Sequence, residues 1–300
     1  MPALRVATRG SALARRQAER VVELLDVDAE YVVVSTRGDE RRDVPIHAMG
    51  GTGVFVKEVE QAVIDGRADV AVHSAKDLPS APPSELVLGA LPERGDPRDA
   101  LVGRALDDIP TGGRVGTGSV RRRAQLASVR PDLGFGELRG NIPTRLEKAS
   151  AFDAVVVAAA ALDRLGLADR IAERVDPSVV LSQVAQGALA VECRAGDHET
   201  RQVLAGIDDA DVRAAVTAER AFLARLGGGC NLPCGALAGT NDDGSLRLDA
   251  LLGSLDGRIA LRTRVAGRDP DAVGAEAARR LVEEEGGRLV LDDELVGDAS

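Results

Sequence analysis

One pattern recurs through most of the chain: a short apolar segment, a polar turn and then a helix-forming stretch. Residues 4–8 form the first apolar segment, and Ser11 caps a predicted helix that runs to Leu25. Residues 68–73 and 154–158 repeat the apolar segment. The Ala-Val-Val-Val-Ala run at 154–158 has no polar face, which is typical of a strand covered on both sides by helices. The pattern predicts an α/β fold.

Two interruptions of this pattern indicate that the chain crosses between lobes twice. Charge and proline break it at residues 93–99, and a flexible stretch at 182–187 precedes an apolar segment at 188–193 that would rejoin the first sheet. Two crossings predict two lobes joined by a double hinge. The predicted bounds are 1–94 with 188–207 for lobe 1, and 95–187 for lobe 2.

The last third of the chain changes character and predicts a small α+β domain over residues 208–300. An alanine-rich amphipathic helix runs from Asp209 to Leu226. Three short segments follow, separated by Asn-Asp-Asp-Gly and Ser-Leu-Asp-Gly turns that favour hairpins. A final helix is expected from about Pro270 to Glu285.

Composition excludes several classes of function. The net charge is -10 and aromatic residues make up 2% of the chain, whereas nucleic-acid binding usually requires a basic face with stacking aromatic side chains. No apolar run is long enough to cross a membrane, and the N-terminus lacks the apolar core of a signal segment. Three cysteines, unevenly spaced, do not form a disulfide framework. We therefore expect a cytoplasmic protein.

Lysine occurs only at Lys57, Lys76 and Lys148, so that arginine carries almost all of the positive charge. Two explanations stay open. One is a GC-rich genome, and the other is adaptation of an acidic surface to high salt.

The stretch from Leu226 to Gly235 combines three consecutive glycines with two cysteines, Cys230 and Cys234. Glycines allow the backbone to approach a bulky group closely, so Cys230 is a candidate attachment point. A plain loop with a small buried thiol is the alternative. A zinc site lacks histidines at ligand spacing, and a redox site would need a Cys-x-x-Cys motif. We predict no metal.

Six arginines fall at predicted junctions between strands and helices, where open α/β sheets place ligand-binding groups. They are Arg9, Arg121, Arg122, Arg139, Arg145 and Arg164. In an acidic protein this placement predicts a pocket for polyanions, because guanidinium groups bind carboxylates with two hydrogen bonds. Asp77, next to Lys76, is either a surface acid in an ion pair or the one negative group in that cationic cleft. His73 is more consistent with a structural role than with catalysis or metal binding.

Taken together, these motifs resemble the hydroxymethylbilane synthase family, also called porphobilinogen deaminase. The resemblance runs in order from residue 5 to 235. Its segments are 8–14, 55–60, 68–77, 98–100, 115–122, 138–141 with 144–146, 164–167, 186–189 and 227–230. The His-Ser-Ala-Lys-Asp and Gly-Gly-Cys pieces are the most specific.

The resemblance implies a transferase that condenses four porphobilinogen molecules, with loss of ammonia, into the linear tetrapyrrole hydroxymethylbilane. A dipyrromethane cofactor primes the reaction and is bound to Cys230 by a thioether. Asp77 is implied as the catalytic carboxylate, while Phe55, Gln186 and Gly187 line the substrate position. The residues implied to bind acetate and propionate groups are Arg9, Ser11, Ser74, Lys76, Thr117, Ser119, Arg121, Arg122, Arg139, Arg145 and Arg164.

The family also implies an architecture and partners. Its first two domains resemble two-lobed periplasmic solute receptors with mixed sheets, and its third carries the cofactor cysteine. We expect a monomer that passes its product to uroporphyrinogen-III synthase. Thr52 and Gly118 depart from the residues common in the family, and Cys234 adds a second thiol. The rival functions are a pure binding protein of the same shape and a relative that has lost the cofactor and only binds linear pyrroles.

Overall fold

In the computed structural model, residues 3–36, 56–79, 83–227 and 232–291 are described. The first sheet has five strands, three of which are parallel to one another. The helix between the first two strands of the chain returns the backbone across the sheet, as parallel pairing requires. In spatial order, the strands are β2 (Ala29–Val34), β1 (Leu4–Arg9), β3 (Val70–Ser74), β10 (Leu189–Arg194) and β4 (Leu86–Ala90). Helices α1 (Ala12–Leu25), α2 (Lys57–Ile64) and α6 (His198–Ala205) pack against this sheet.

The second sheet repeats the arrangement of the first. Its strands, in spatial order, are β7 (Gly134–Gly136), β6 (Arg114–Gly116), β8 (Ala154–Ala158), β5 (Asp99–Gly103) and β9 (Glu173–Arg174). The helices of this lobe are α3 (Val120–Val129), α4 (Ile142–Glu147) and α5 (Ala159–Arg164). Every residue of β8 is buried, as its apolar sequence predicted. Both sheets are mixed, since their fourth strand runs antiparallel to the third.

The chain passes between the two lobes through two adjacent hinge segments. Strand β10 follows lobe 2 in the chain but lies in the first sheet, antiparallel to β3. At the hinge, the Gly95 amide donates to the Gly187 carbonyl at 3.0 Å and the Leu189 amide donates to the Glu93 carbonyl at 3.1 Å. The predicted double hinge is therefore confirmed, and the two crossing segments are hydrogen-bonded to each other.

The C-terminal part is a three-stranded antiparallel sheet covered by two helices, as the hairpin turns predicted. The sheet contains β11 (Cys234–Thr240), β12 (Leu246–Gly253) and β13 (Ala260–Gly267), and the helices are α7 (Ala210–Arg225) and α8 (Pro270–Arg279). Gly274 of α8 lies directly against the Ala218 carbonyl of α7, so a side chain at that position would separate the helices. The α+β assignment of this part is confirmed.

One apolar core joins the C-terminal sheet to the hinge and to lobe 1. Phe222 of α7 is fully buried, and the cluster around it extends from Leu248 in β12 to Leu91, Ala185 and Ala188 near the hinge. A movement of the C-terminal part is therefore coupled to the hinge by close packing. Across the described residues, no helix has the length and apolar character needed to span a bilayer.

Some elements differ from the sequence-based expectation. Strand β7 is shorter than expected, with Arg139 lying beyond its end at Gly136, and Arg164 ends helix α5 instead of standing between a strand and a helix. Strands β4, β5 and β9 and helix α6 were not predicted, because segments of two to eight residues are too short for their periodicity to be distinctive. The predicted cap Ser11 is confirmed by a hydrogen bond from the first helical turn, and Ser119 and Asn141 cap α3 and α4 in the same way.

Candidate active site

The centre of the candidate site is a buried carboxylate that holds two arginines. Asp99, the first residue of β5, is fully buried. Its Oδ1 accepts hydrogen bonds from Arg122 Nε at 3.0 Å and Nη2 at 2.7 Å, and its Oδ2 accepts one from Arg121 Nη2 at 2.8 Å. Burial opposes ionisation of Asp99, but the positive charges of Arg121 and Arg122 outweigh it and lower the pKa of the carboxyl. The acid is therefore ionised.

Both arginines lie in the first turn of α3, and each also donates to a backbone carbonyl. Arg121 Nη1 donates to Leu181, and Arg122 Nη1 donates to Val156 at 3.1 Å. The two side chains are only 4% and 7% exposed. Nε of Arg121 is buried and has no hydrogen-bond partner within the described ranges. An unpaired donor at such depth is costly unless a ligand satisfies it, so the site fits an anionic group.

Gln186 connects this cluster to lobe 1. Its Nε2 donates to Asp99 Oδ1 at 2.8 Å, and its Oε1 accepts a hydrogen bond from Lys76 Nζ at 3.2 Å. Burial, together with Arg122 and Arg121 nearby, lowers the pKa of Lys76 to about 8, although Asp77 and Asp99 act in the opposite direction. The side chain of Lys76 keeps some exposed surface while its ammonium group lies deep among protein atoms. A continuous polar chain therefore joins the two lobes.

Asp77 lies at the end of β3, in the short helical turn Ala75–Asp77. The side chain is half-buried, and no group of the described residues donates a hydrogen bond to its carboxylate. Its negative charge acts on Lys76 of the same lobe and on Arg145 of the other lobe. Burial and the charges of Arg122 and Arg139 lower the pKa of Arg145 to about 10. The structure thus brings Asp77 into the cationic cleft.

Arg164 and Gly187 meet at the hinge. Arg164 Nη2 donates to the Gly187 carbonyl at 2.7 Å, and its charge lies 3.9 Å from Glu93. Gly187 has φ of +90°, and a Cβ at this position would lie 2.5 Å from the Gly95 carbonyl oxygen. Glycine is therefore required there.

The remaining predicted residues lie at or near the ends of strands and helices. Ser74 Oγ accepts a hydrogen bond from Gln17 Nε2 at 2.8 Å, and Thr117 Oγ1 accepts one from the Ser119 amide at 3.2 Å. Arg139 pairs with the exposed Glu137 at 3.1 Å. Arg9 is the last residue of β1, and Ser11 accepts a hydrogen bond from the Ala14 amide at 3.2 Å.

Two predicted residues, Phe55 and Cys230, lie outside the described residues. The strand that follows Cys230 is described and packs closely against the arginine cluster. A Cβ on Gly235 would lie 3.4 Å from Cδ of Arg121 and 2.8 Å from the Ser182 carbonyl oxygen. Cys234, which begins this strand, is buried.

Two features escaped the sequence-based prediction. One is Asp99, whose signal is an acid that begins an otherwise apolar strand at the end of a charged crossing segment. The other is the ion pair between Arg94 and Glu219, which are 125 residues apart in the chain. No local pattern connects residues so distant.

His73 lies in β3 with its Nε2 3.2 Å from Glu192 Oε2 of β10, and both side chains are buried. This position inside lobe 1 agrees with the structural role expected for His73.

Comparison with known families gives two matches that together extend over most of the chain. Residues 4–202 match the family described as porphobilinogen deaminase, dipyromethane cofactor binding domain, and residues 213–283 match porphobilinogen deaminase, C-terminal domain. Among curated relatives, the porphobilinogen deaminase of Roseiflexus castenholzii is 46% identical over 96% of this chain and 98% of its own length. The enzymes of Brevibacillus brevis (96% of each chain covered) and Acidothermus cellulolyticus (93% of this chain and 87% of that one) are 42% and 47% identical.

Solved structures give weaker similarities. The periplasmic VFT2 domain of BvgS from Bordetella pertussis is 20% identical, with 69% of this chain and 86% of that one covered and a TM-score of 0.40. A periplasmic His/Glu/Gln/Arg/opine family-binding protein from Silicibacter pomeroyi is 14% identical, with coverage of 68% and 88% and a TM-score of 0.37. The fold assignment therefore rests on the strand order of the two sheets.

Proposed function

Because the chain belongs to the porphobilinogen deaminase family, we propose that the cation cluster between its lobes binds the carboxylates of its pyrrole substrate and cofactor. The activity is that of a hydroxymethylbilane synthase, a transferase of porphyrin and haem biosynthesis. It condenses four porphobilinogen molecules head to tail into hydroxymethylbilane and releases ammonia. A covalently bound dipyrromethane cofactor supplies the primer on which the chain grows.

The observation that supports this placement is the arrangement of Arg121, Arg122 and Lys76 around a single buried acid. Each pyrrole unit carries an acetate and a propionate group, so a growing chain needs several cationic groups on both lobes. Lys76 comes from lobe 1, and the two arginines come from lobe 2. The unpaired buried Nε of Arg121 is a donor suited to one of these carboxylates.

Further carboxylate contacts are assigned to the polar residues at the surrounding strand and helix ends. They are Arg9, Ser11, Ser74, Thr117, Ser119, Arg139, Arg145 and Arg164. Gln186, Gly187 and Phe55 are assigned to the substrate position, and Cys230 to the thioether that holds the cofactor.

Asp77 acts as the catalytic carboxylate in this proposal. The aminomethyl group of porphobilinogen is an ammonium, so its C–N bond can break with the electron pair leaving on ammonia and without a proton donor. The positive charge that develops spreads over the pyrrole ring. A fixed carboxylate that accepts the ring N–H stabilises this charge as it forms. The absence of a hydrogen-bond donor to Asp77 from the described residues leaves its oxygens available for that contact.

The proposal also includes the setting of the enzyme. We assign domain bounds of 1–94 with 188–207, 95–187, and 208–300, a monomeric state, a cytoplasmic location, and transfer of the product to uroporphyrinogen-III synthase. Light scattering of the purified enzyme tests the monomer, since a dimer would give twice the mass.

The test of the function is the intact mass of the denatured protein. Covalently bound dipyrromethane adds its own mass to that of the chain, and this increase is expected in every active preparation. A chain without added mass that still binds linear pyrroles would instead be a relative that has lost the cofactor. Ammonia release from porphobilinogen distinguishes the enzyme from a pure binding protein.

A further inference from the structure

The guanidinium groups assigned to ligand carboxylates already contact a carboxylate of the protein itself. Asp99 accepts three hydrogen bonds from Arg121 and Arg122 at 2.7 to 3.0 Å, and a fourth from Gln186. Asp99 is fully buried, so solvent does not screen its charge. It is a permanent part of the site and does not depend on any ligand.

Asp99 neutralises only part of the positive charge of Arg121 and Arg122. Asp99 supplies one negative charge to two guanidinium groups, so the pair retains one net positive charge. The arginines also keep unused donors, including Nε of Arg121, which is buried without a partner among the described residues. Asp99, Arg121 and Arg122 together therefore retain one positive charge for an incoming carboxylate, in addition to the charge of the neighbouring Lys76.

Chain growth imposes a limit on how tightly that carboxylate can be held. Four additions occur at one catalytic carboxylate, so the pyrrole units already joined must move past the arginines after each addition. Two buried guanidinium groups without a counter-ion would bind a carboxylate very strongly, because charges interact strongly where water is excluded. Binding that is equally tight before and during the reaction does not raise kcat, and a carboxylate that must be released between additions slows turnover when it is held too tightly.

We propose that Asp99 is a positioning residue that partly neutralises Arg121 and Arg122, so that they bind a substrate carboxylate and release it between additions. Asp99 orients the two guanidinium groups and lowers their affinity for the ligand at the same time. The proposal rests on the carboxylate-binding function proposed above.

The test compares Asp99→Asn with Asp96→Asn. Asp96 is a matched control, since it also accepts hydrogen bonds from two arginines, Arg98 and Arg174, but lies outside the cluster. Succinate serves as an inert dicarboxylate probe, and its Kd is measured by calorimetry on the cofactor-loaded enzyme. Asp99→Asn is expected to lower the succinate Kd by about tenfold or more because one compensating charge is lost. In Asp99→Asn, the KM for porphobilinogen should fall because the substrate is bound more tightly, and kcat should fall because its carboxylate is released more slowly. A variant whose site is merely distorted would instead show a higher KM. Asp96→Asn should leave all three values unchanged.

A second variant covers the case in which Asp99→Asn does not fold. The double change Asp99→Asn with Arg122→Gln restores the net charge of the cluster, and its succinate Kd is expected within about threefold of the wild-type value. If neither variant gives a folded protein by circular dichroism, Asp99 acts in stability alone and the proposal is overturned.

The outcomes separate this proposal from the one on which it rests. If the wild-type enzyme does not bind succinate in competition with porphobilinogen, the assignment of the arginines as carboxylate anchors fails. If the wild-type enzyme binds succinate and folded Asp99→Asn binds it equally or more weakly, only the role of Asp99 fails.

Discussion

Glu219 accepts hydrogen bonds from both terminal nitrogens of Arg94, at 2.6 and 3.1 Å. The same carboxylate accepts the amides of Ala185 in the hinge and Ala238 in β11, at 2.6 and 2.8 Å. Ala185 has φ of +59°, a conformation that is strained for alanine and is held here by this contact. Glu219 therefore fastens the C-terminal part to both hinge segments.

Glu219→Gln is expected to destabilise the protein by about 3–5 kcal/mol, because it leaves the Arg94 guanidinium buried without its counter-ion. Denaturant unfolding followed by circular dichroism gives this value. Asp256→Asn is the control, since Asp256 pairs with Arg258 at the exposed surface and its loss should leave the unfolding midpoint unchanged. If the unfolding midpoint of Glu219→Gln equalled that of Asp256→Asn, the Glu219 contact would not contribute to stability.

Cys230→Ser is expected to give a folded enzyme without activity and without added mass, because the change is nearly isosteric but removes the sulfur of the thioether. Cys234→Ser should keep both the cofactor and the activity. Intact mass and peptide mapping check this pair of variants. Added mass on a peptide that contains Cys234 but not Cys230 would show that the cofactor is bound to Cys234, and our assignment of the thioether to Cys230 would be wrong.

Asp77→Asn is expected to fold and to bind pyrroles but to lose most of its turnover, because a neutral amide does not stabilise the positive charge on the ring. Asp77→Glu keeps the charge in a shifted position and should retain part of the activity. The measurement is ammonia release in a single turnover with bound substrate. A rate for Asp77→Asn equal to that of the wild type would contradict a charge-stabilising role.

The low pKa of Lys76 predicts how carboxylate binding depends on pH. The folded protein loses the Lys76 proton at a pKa of about 8, against 10.5 for an ordinary lysine. Between these values the unfolded chain binds more protons, so this group makes stability rise with pH over that range. Carboxylate affinity changes in the opposite direction, since the neutral amine must first be protonated.

Above pH 8, the succinate Kd is therefore expected to increase by up to about tenfold per pH unit. Lys76→Arg keeps its charge and should remove most of this increase. Lys148→Met, at an exposed position in lobe 2, is the control that should retain it. A Kd that stays constant from pH 7 to 10 in the wild type would rule out Lys76 as a carboxylate ligand.

Gly187→Ala is expected to destabilise the hinge by about 1–3 kcal/mol, because alanine is strained at positive φ and its Cβ would collide with the Gly95 carbonyl. Since Gln186 is adjacent, kcat should fall as well. Gly196→Ala is a suitable control because a Cβ there has no neighbour within 4 Å. Both variants are compared by thermal unfolding and steady-state kinetics. Unchanged kinetics in Gly187→Ala would show that the conformation of the hinge does not affect the active site.

The sequence by itself determined the local elements and the family. Caps such as Ser11, Ser119 and Asn141 accept hydrogen bonds within the next four residues, so nearby residues are sufficient to predict them. The apolar run of β8 and the turns of the C-terminal hairpins are equally local. The motif that contains Lys76 and Asp77 identified the chemistry without any coordinates.

Only the tertiary structure decided which charges meet. Asp99 pairs with Arg121 and Arg122 across 22 and 23 residues, and Glu219 pairs with Arg94 across 125. Sequence predicted the arginines as ligand anchors, but only the packing shows that a buried acid of the protein shares them. Periodicity and spacing report which face of an element is buried, whereas the partner of a buried charge depends on how the lobes and the hinge pack together.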